Sequence, residues 1–327
     1  MDNVANRGNG LIQQLLNLFH QVVNAGLFQE CANLFSKNSK AGFYWSEVVG
    51  LWIGRYAWLA LMAIAVIAGY ASGVLQGLAV LWILVFAGVC VGYDRARELP
   101  AGSMKRRLAL GSGALGILVF GLALGMHLLP GFHNYLLLDR VVLSSGAAPF
   151  TLYLNFDKTL VGIFIVGLCG QPLLRQGKQW AEALRRAVAI VPIHIALVAA
   201  GAAAIGYLTW QPKWDPVYFI RWAPVNLFFV CLSEEAFFRG FIQRELSTAL
   251  RGTRFGAVIA VAVSAGLFGL AHFAGGMSYV VLATAAGIGY AIVYQRTRSI
   301  EMSMLAHFAL NTVHFLLFTY PALQSGE

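Results

Sequence analysis

Three ionisable side chains stand close together inside an apolar run, residues 228–240: Glu234, Glu235 and Arg239. An ionised group at the centre of a bilayer costs roughly 3 kcal/mol or more, so such groups persist where they pair or face a polar cavity. Two later apolar runs carry their own polar groups: His272, four residues after Phe268, and His307, followed four residues on by Asn311. A glutamate held near a histidine can take a proton from water and return it to a leaving amine. A second histidine and an asparagine are natural donors for a developing oxyanion. Alternatively, Glu234, His272 and His307 are three ligands of a catalytic divalent metal such as zinc, with an open position for water. The HExxH helix of the common zinc proteases is absent, and the sequence leaves both mechanisms open.

Spacing argues that these groups meet. With Arg244 and Arg298 marking one membrane interface, Glu234 lies ten residues inside its segment and His307 nine residues inside its own, each about 15 Å deep at 1.5 Å per residue. About a turn at Gly252, Glu234 lies 18 residues before and His272 20 residues after, so an antiparallel pair places them at one level. Glu235 and Arg239 share a helix face with the acid N-terminal, the favourable order for a pair. Glu234 projects about 100° away, free to face something else. The structural alternative is that Glu234 pairs with Arg221 or Arg239. His127, His194 and His314 have no motif partner and are read as structural.

The elements that position these groups must be membrane helices. The chain of 327 residues is 59% hydrophobic and only 11% charged, with a mean hydropathy of +0.69. Soluble domains run near 25% charged. The expected fold is an all-α, polytopic transmembrane bundle of about eight or nine spans. Nine segments qualify: about 50–73, 75–93, 107–129, 159–174, 187–209, 217–243, 256–275, 278–295 and 300–319. The connection at 130–158 is expected to be an ordered loop or re-entrant piece. Within it, His133, Asp139, Asn155, Asp157 and Lys158 are expected to be solvated or to order the loop. Residues 10–24 carry apolar positions at helical spacing opposite Gln and Asn, an amphipathic helix for the membrane surface. The organisation expected is therefore an interfacial segment over 1–46, N-terminal transmembrane helices over 47–215, and a catalytic transmembrane core over 216–320.

The net charge of +9 does not point to nucleic acid, because Lys and Arg fall in short clusters between apolar segments. Residues 95–107 hold Arg95, Arg97, Lys105, Arg106 and Arg107; residues 175–186 hold Arg175, Lys178, Arg185 and Arg186. Arg244, Arg251 and Arg254 follow, then Arg296 and Arg298, while the alternate connections carry few. The bias places the basic loops and the N-terminus in the cytoplasm. Cys31, Cys90, Cys169 and Cys231 show no metal or disulfide spacing and are read as buried thiols. No cleavable signal peptide is expected, since residues 1–10 are polar. The glycines Gly266, Gly269, Gly287 and Gly289 are expected to permit close helix contact.

Glu-Glu-x-x-x-Arg, then Phe-x-x-x-His, then His-x-x-x-Asn, in order on successive apolar segments, resembles the CAAX protease and bacteriocin-processing family of intramembrane endopeptidases, also called CPBP or Abi. The resemblance covers residues from about 217 to 319. It implies peptide-bond hydrolysis of a membrane-associated protein or peptide by residues embedded in the bilayer. Under it Glu234 matches the water-activating glutamate and His272 its partner. His307 and Asn311 match the residues that hold or polarise the scissile carbonyl, and Glu235 and Arg239 the supporting pair. Both metal-dependent and metal-free mechanisms are argued for the family. The loop charges look bacterial, implying the inner membrane and a processed peptide, sorting signal or anchored pro-protein rather than a prenylated substrate. The competing readings are a proton-coupled transporter, for which no internal repeat is visible, and a non-catalytic immunity or scaffold protein, for which none of the polar positions is missing.

Overall fold

A computed structural model describes residues 59–324; the amphipathic segment expected at 10–24, and Cys31, lie outside them. The chain divides into two units, Met1–Ile64 and Ala65–Glu327, and all the site residues belong to the second.

Helices dominate. They are α1 (Leu59–Ala71), α2 (Gly77–Ala96), α3 (Met104–Gly125), α4 (Phe156–Leu168), α5 (Gly177–Val188), α6 (Val191–Ala204), α7 (Pro216–Ala249), α8 (Gly256–Leu270), α9 (Met277–Thr297) and α10 (Ile300–Leu317). Among the described residues, which omit the start of the span expected at 50–73, six helical stretches are long and apolar enough to cross a membrane: α2, α3, the α5–α6 run, α7, α9 and α10. A helical membrane bundle is thus borne out, with six such stretches where nine spans were expected. Part of the difference lies at 159–174 and 256–275. Hydropathy counts apolar residues whether or not they are helical. Gly170 takes a positive φ of 59° and Pro172 follows, so α4 stops after 13 residues, about 20 Å. Similarly α8 has 15 residues and ends before His272. Both are shorter than the roughly 30 Å hydrocarbon layer.

The connection expected as a loop at 130–158 is instead a β-hairpin, the one departure from an all-α chain among the described residues. Strands β1 (Tyr135–Val141) and β2 (Phe150–Leu154) pair antiparallel. Both are rich in aromatic and aliphatic residues, and Leu138 and Leu152 turn inward to pack on Trp222 and Val225 of α7 and Phe315 of α10. The hairpin is thereby seated on the start of α7 and the end of α10. The α6–α7 connection is tied to the same end: Gln211 and Lys213 donate their backbone N–H to Leu317 and Leu316, 2.9 and 2.8 Å.

Helix α7 is the spine of the site. Asp215 caps it, accepting from the N–H groups of Val217 and Tyr218, and Pro216 occupies the first helical position. Pro224 removes one donor from the ladder, and the chain continues as two π-helical stretches, Asn226–Cys231 and Ala236–Gln243. Between them Leu232–Glu235 keep α geometry. Widened turns of this kind often mark functional sites.

Glycines let helices approach, as expected at three of four positions. A Cβ on Gly269 would meet Thr284 and Val280 of α9, one on Gly289 would strike the His194 ring, and one on Gly287 would lie 3.1 Å from Phe268. Gly266 differs: nothing stands within 4 Å of its Cβ position.

Candidate active site

The two adjacent carboxylates of α7 face different partners. Glu235 is fully buried. Its Oε1 lies 3.2 Å from Arg239 Nη1 and 2.9 Å from His307 Nδ1, and its Oε2 accepts from Ser303 Oγ at 2.6 Å. Arg239, equally buried, donates through Nη2 to the Gly287 carbonyl at 2.8 Å and lies 4.6 Å from the Phe268 ring centre. A buried ion pair needs further hydrogen bonds to offset its desolvation; Ser303 and His307 supply them to Glu235 and the Gly287 carbonyl to Arg239 Nη2, while Arg239 Nε has no partner among the described residues. The pair therefore ties α7, α9 and α10 together at one level.

His307 is held on two sides. Its Nδ1 meets Glu235, and its ring stacks on Tyr290, centroids 4.5 Å apart at 15°. With Nδ1 donating to the carboxylate, Nε2 is the nitrogen left for a ligand. His272, in the turn after α8, is oriented the same way: Nδ1 lies 2.8 Å from the Phe268 carbonyl, leaving Nε2 free. This explains the Phe-x-x-x-His spacing, because the last turn of α8 supplies the carbonyl that sets the ring.

Glu234 pairs with neither Arg221 nor Arg239. Its Oε1 accepts from Lys158 Nζ at 2.6 Å, and its buried Oε2 has no hydrogen-bond partner among the described residues. Lys158, expected in a loop as a solvated or loop-ordering residue, stands in the first turn of α4 instead. Close packing delivers it. Gly162, one turn on, lies so near α7 that a Cβ there would be 2.9 Å from Ser233 Cα. Neighbouring Asp157 is also buried rather than solvated, accepting from Asn134 Nδ2 at 3.0 Å with His127 Nδ1 at 2.7 Å.

Asn311 donates through Nδ2 to Asn226 Oδ1 at 3.2 Å, and the same oxygen accepts from Cys231 Sγ at 3.3 Å. Asn226 and Ser303 were missed in the sequence. Both carry a legible signal: Asn226 is a lone amide in an apolar run, and Ser303 lies four residues before His307 on the same face. Of the histidines without a motif partner, His314 places Nε2 3.2 Å from the Thr319 carbonyl and lines the same cavity as the site residues, and His194 packs edge-on against the Tyr290 ring. Cys90, Cys169 and Cys231 are buried free thiols.

Glu234, His272, His307, Asn311, Asn226 and Lys158 line one cavity of about 430 Å³ whose remaining walls are mostly aliphatic and aromatic. Lys158, Glu234 and His272 also wall a smaller cavity of about 170 Å³ towards α3. At the hairpin end, burial pulls Lys213 down to about 8 and pushes Tyr320 up to about 12. Among the described residues no group of three or more His, Cys, Asp or Glu stands close enough to hold a metal ion, and the ammonium of Lys158 already occupies one oxygen of Glu234. The donor set as arranged does not fit a zinc centre.

Residues 216–313 match the family model described as Type II CAAX prenyl endopeptidase Rce1-like, in agreement with the resemblance read from the motifs. Comparisons with curated proteins and with solved structures gave no match.

Proposed function

We propose that this integral membrane protein, with its Rce1-like segment, hydrolyses a peptide bond of a membrane-associated protein or peptide, using Glu234 to activate water. The observation that carries the reading is the unpartnered Oε2 of Glu234, buried beside an apolar-walled cavity that His272, His307 and Asn311 also line. A CAAX-type endopeptidase family match over the same residues supports it.

In this reading a water held between Glu234 Oε2 and His272 Nε2 gives its proton to the carboxylate as its oxygen attacks the carbonyl carbon. Lys158 keeps the other carboxylate oxygen fixed, so the accepting lone pair points at the cavity. His307 through Nε2, and Asn311 through its amide, stabilise the tetrahedral oxyanion. Glu235 holds the His307 ring by Nδ1, and Asn226 holds the Asn311 amide. The proton on Glu234 then passes to the amide nitrogen, the C–N bond breaks, and a carboxylate and an amine leave. The apolar walls exclude bulk water and suit aliphatic or aromatic residues around the bond.

The test is turnover in membranes carrying the wild-type chain or Glu234→Ala at equal abundance. Protein termini generated only by the wild type support the reading and identify the substrate. The same set of termini from both chains overturns it.

A further inference from the structure

The cavity has a direction. Its polar end lies deep in the bundle, and the connecting segments that line its other end are Phe150 and Leu152 of β2, Tyr207 and Leu208 after α6, and Phe318 and Tyr320 after α10. All three segments lie at one end of the bundle, the end of the hairpin. The connections at the opposite end, α2–α3, α4–α6, α7–α8 and α9–α10, contribute no residue to the lining among those described.

The two ends differ sharply in charge. The connections remote from the cavity carry the four arginine and lysine clusters, from Arg95–Arg107 to Arg296 and Arg298. At the cavity end, the described residues hold Arg140, Lys158, Lys213 and Arg221, and Lys158 is already committed to Glu234. Lys and Arg in short loops remain on the cytoplasmic side during insertion. The fold adds what loop charges alone do not contain: which end of the bundle the site communicates with.

We propose that the site opens away from the cytoplasm, and that its substrate is a membrane-anchored polypeptide whose scissile segment has already been translocated. The substrate assignment rests on the protease reading; the direction of access does not. His307 lies ten residues from the last residue of α10, so the bond to be cut must be drawn about 15 Å below the outer ends of the helices. The segment enters between the hairpin and the segment that follows α10, with aliphatic or aromatic side chains against the walls. A fully cytoplasmic peptide has no path to Glu234 by this mouth.

The test reads access without turnover. Single cysteines are placed at the exposed hairpin tip (Ser145→Cys), on the cavity wall (Val313→Cys) and in the exposed α7–α8 connection (Thr253→Cys). Wild type, whose Cys90, Cys169 and Cys231 are buried, sets the background. A membrane-impermeant maleimide is applied to right-side-out and to inverted vesicles. The expected result is label on Ser145→Cys and Val313→Cys in right-side-out vesicles, lost in inverted ones, with Thr253→Cys showing the opposite pattern. A reversed pattern at Ser145 and Thr253 overturns the orientation. Label at Val313→Cys from the inverted side only, or from neither side while Ser145→Cys reacts, overturns the open mouth. Should Val313→Cys not accumulate, Leu310→Cys on the same wall takes its place. Failure here leaves the Glu234→Ala comparison untouched, so the two claims fail separately.

Discussion

Removing the Arg239 guanidinium while leaving Glu235 ionised is the most demanding test of the buried network. Both side chains are inaccessible to solvent, so Arg239→Met strands a carboxylate whose only remaining partners are Ser303 and His307. Removing one member of a buried pair costs about 3–5 kcal/mol, a factor of roughly 150 to 5,000 in the folding equilibrium. Glu235→Gln alone strands the guanidinium and falls in the same range. The double variant removes both charges. It retains a polar group for Ser303 and loses mainly the 2.8 Å bond to the Gly287 carbonyl and the contact with Phe268. Those losses amount to about 1–3 kcal/mol. The double variant is therefore more stable than either single one, with a coupling of about 3 kcal/mol or more. The assay is reversible unfolding of the purified protein in mixed micelles, followed by far-ultraviolet circular dichroism. An Arg239→Met cost below about 1 kcal/mol, or strictly additive losses, refutes the reasoning that the pair is a tightly coupled buried tie.

Three further outcomes follow from named contacts. Gly162→Val forces α4 away from Ser233 and draws Lys158 off Glu234; overpacking of about 1–3 kcal/mol lowers turnover roughly tenfold with the fold retained, read by circular dichroism beside product formation. Asn226→Ala leaves Asn311 without its orienting partner; kcat falls about tenfold while KM holds, and an unchanged kcat refutes the positioning role. Burial lowers Lys213 to about 8 from its usual 10.5, so between these values the unfolded chain binds the extra proton and stability rises with pH; Lys213→Met flattens that rise, and an identical pH dependence in the variant contradicts it.

What was legible in the sequence is what local spacing encodes. Glu235 and Arg239 pair four residues apart as the motif requires, and the 100° offset of Glu234 gives it a different partner from Glu235. His272 and Glu234 line one cavity, in keeping with the hairpin arithmetic about Gly252. The partner of Glu234 was not legible. Lys158 lies 76 positions away, and its delivery depends on Gly162 packing against Ser233, a tertiary contact with no periodic signature. The hairpin was hidden for a related reason. Its strands are five and seven residues long, and an apolar run of that length resembles a loop between longer spans until Trp222 and Phe315 supply the surface it covers. The ends of α4 and α8 were drawn too far because apolar composition does not register the turn at Gly170 or the helix end before His272.

The central claim is that water activated by Glu234 cleaves a peptide bond, and isotope incorporation tests it most directly. Purified protein in proteoliposomes is supplied with the substrate found from the membrane termini, in water enriched in oxygen-18, and the new carboxyl terminus is weighed. The account predicts one solvent oxygen in that carboxylate for the wild type. It predicts product reduced by about three orders of magnitude in Glu234→Gln, the scale on which loss of a general base is felt. A product without solvent oxygen, or a Glu234→Gln variant that cleaves at the wild-type rate, contradicts the account.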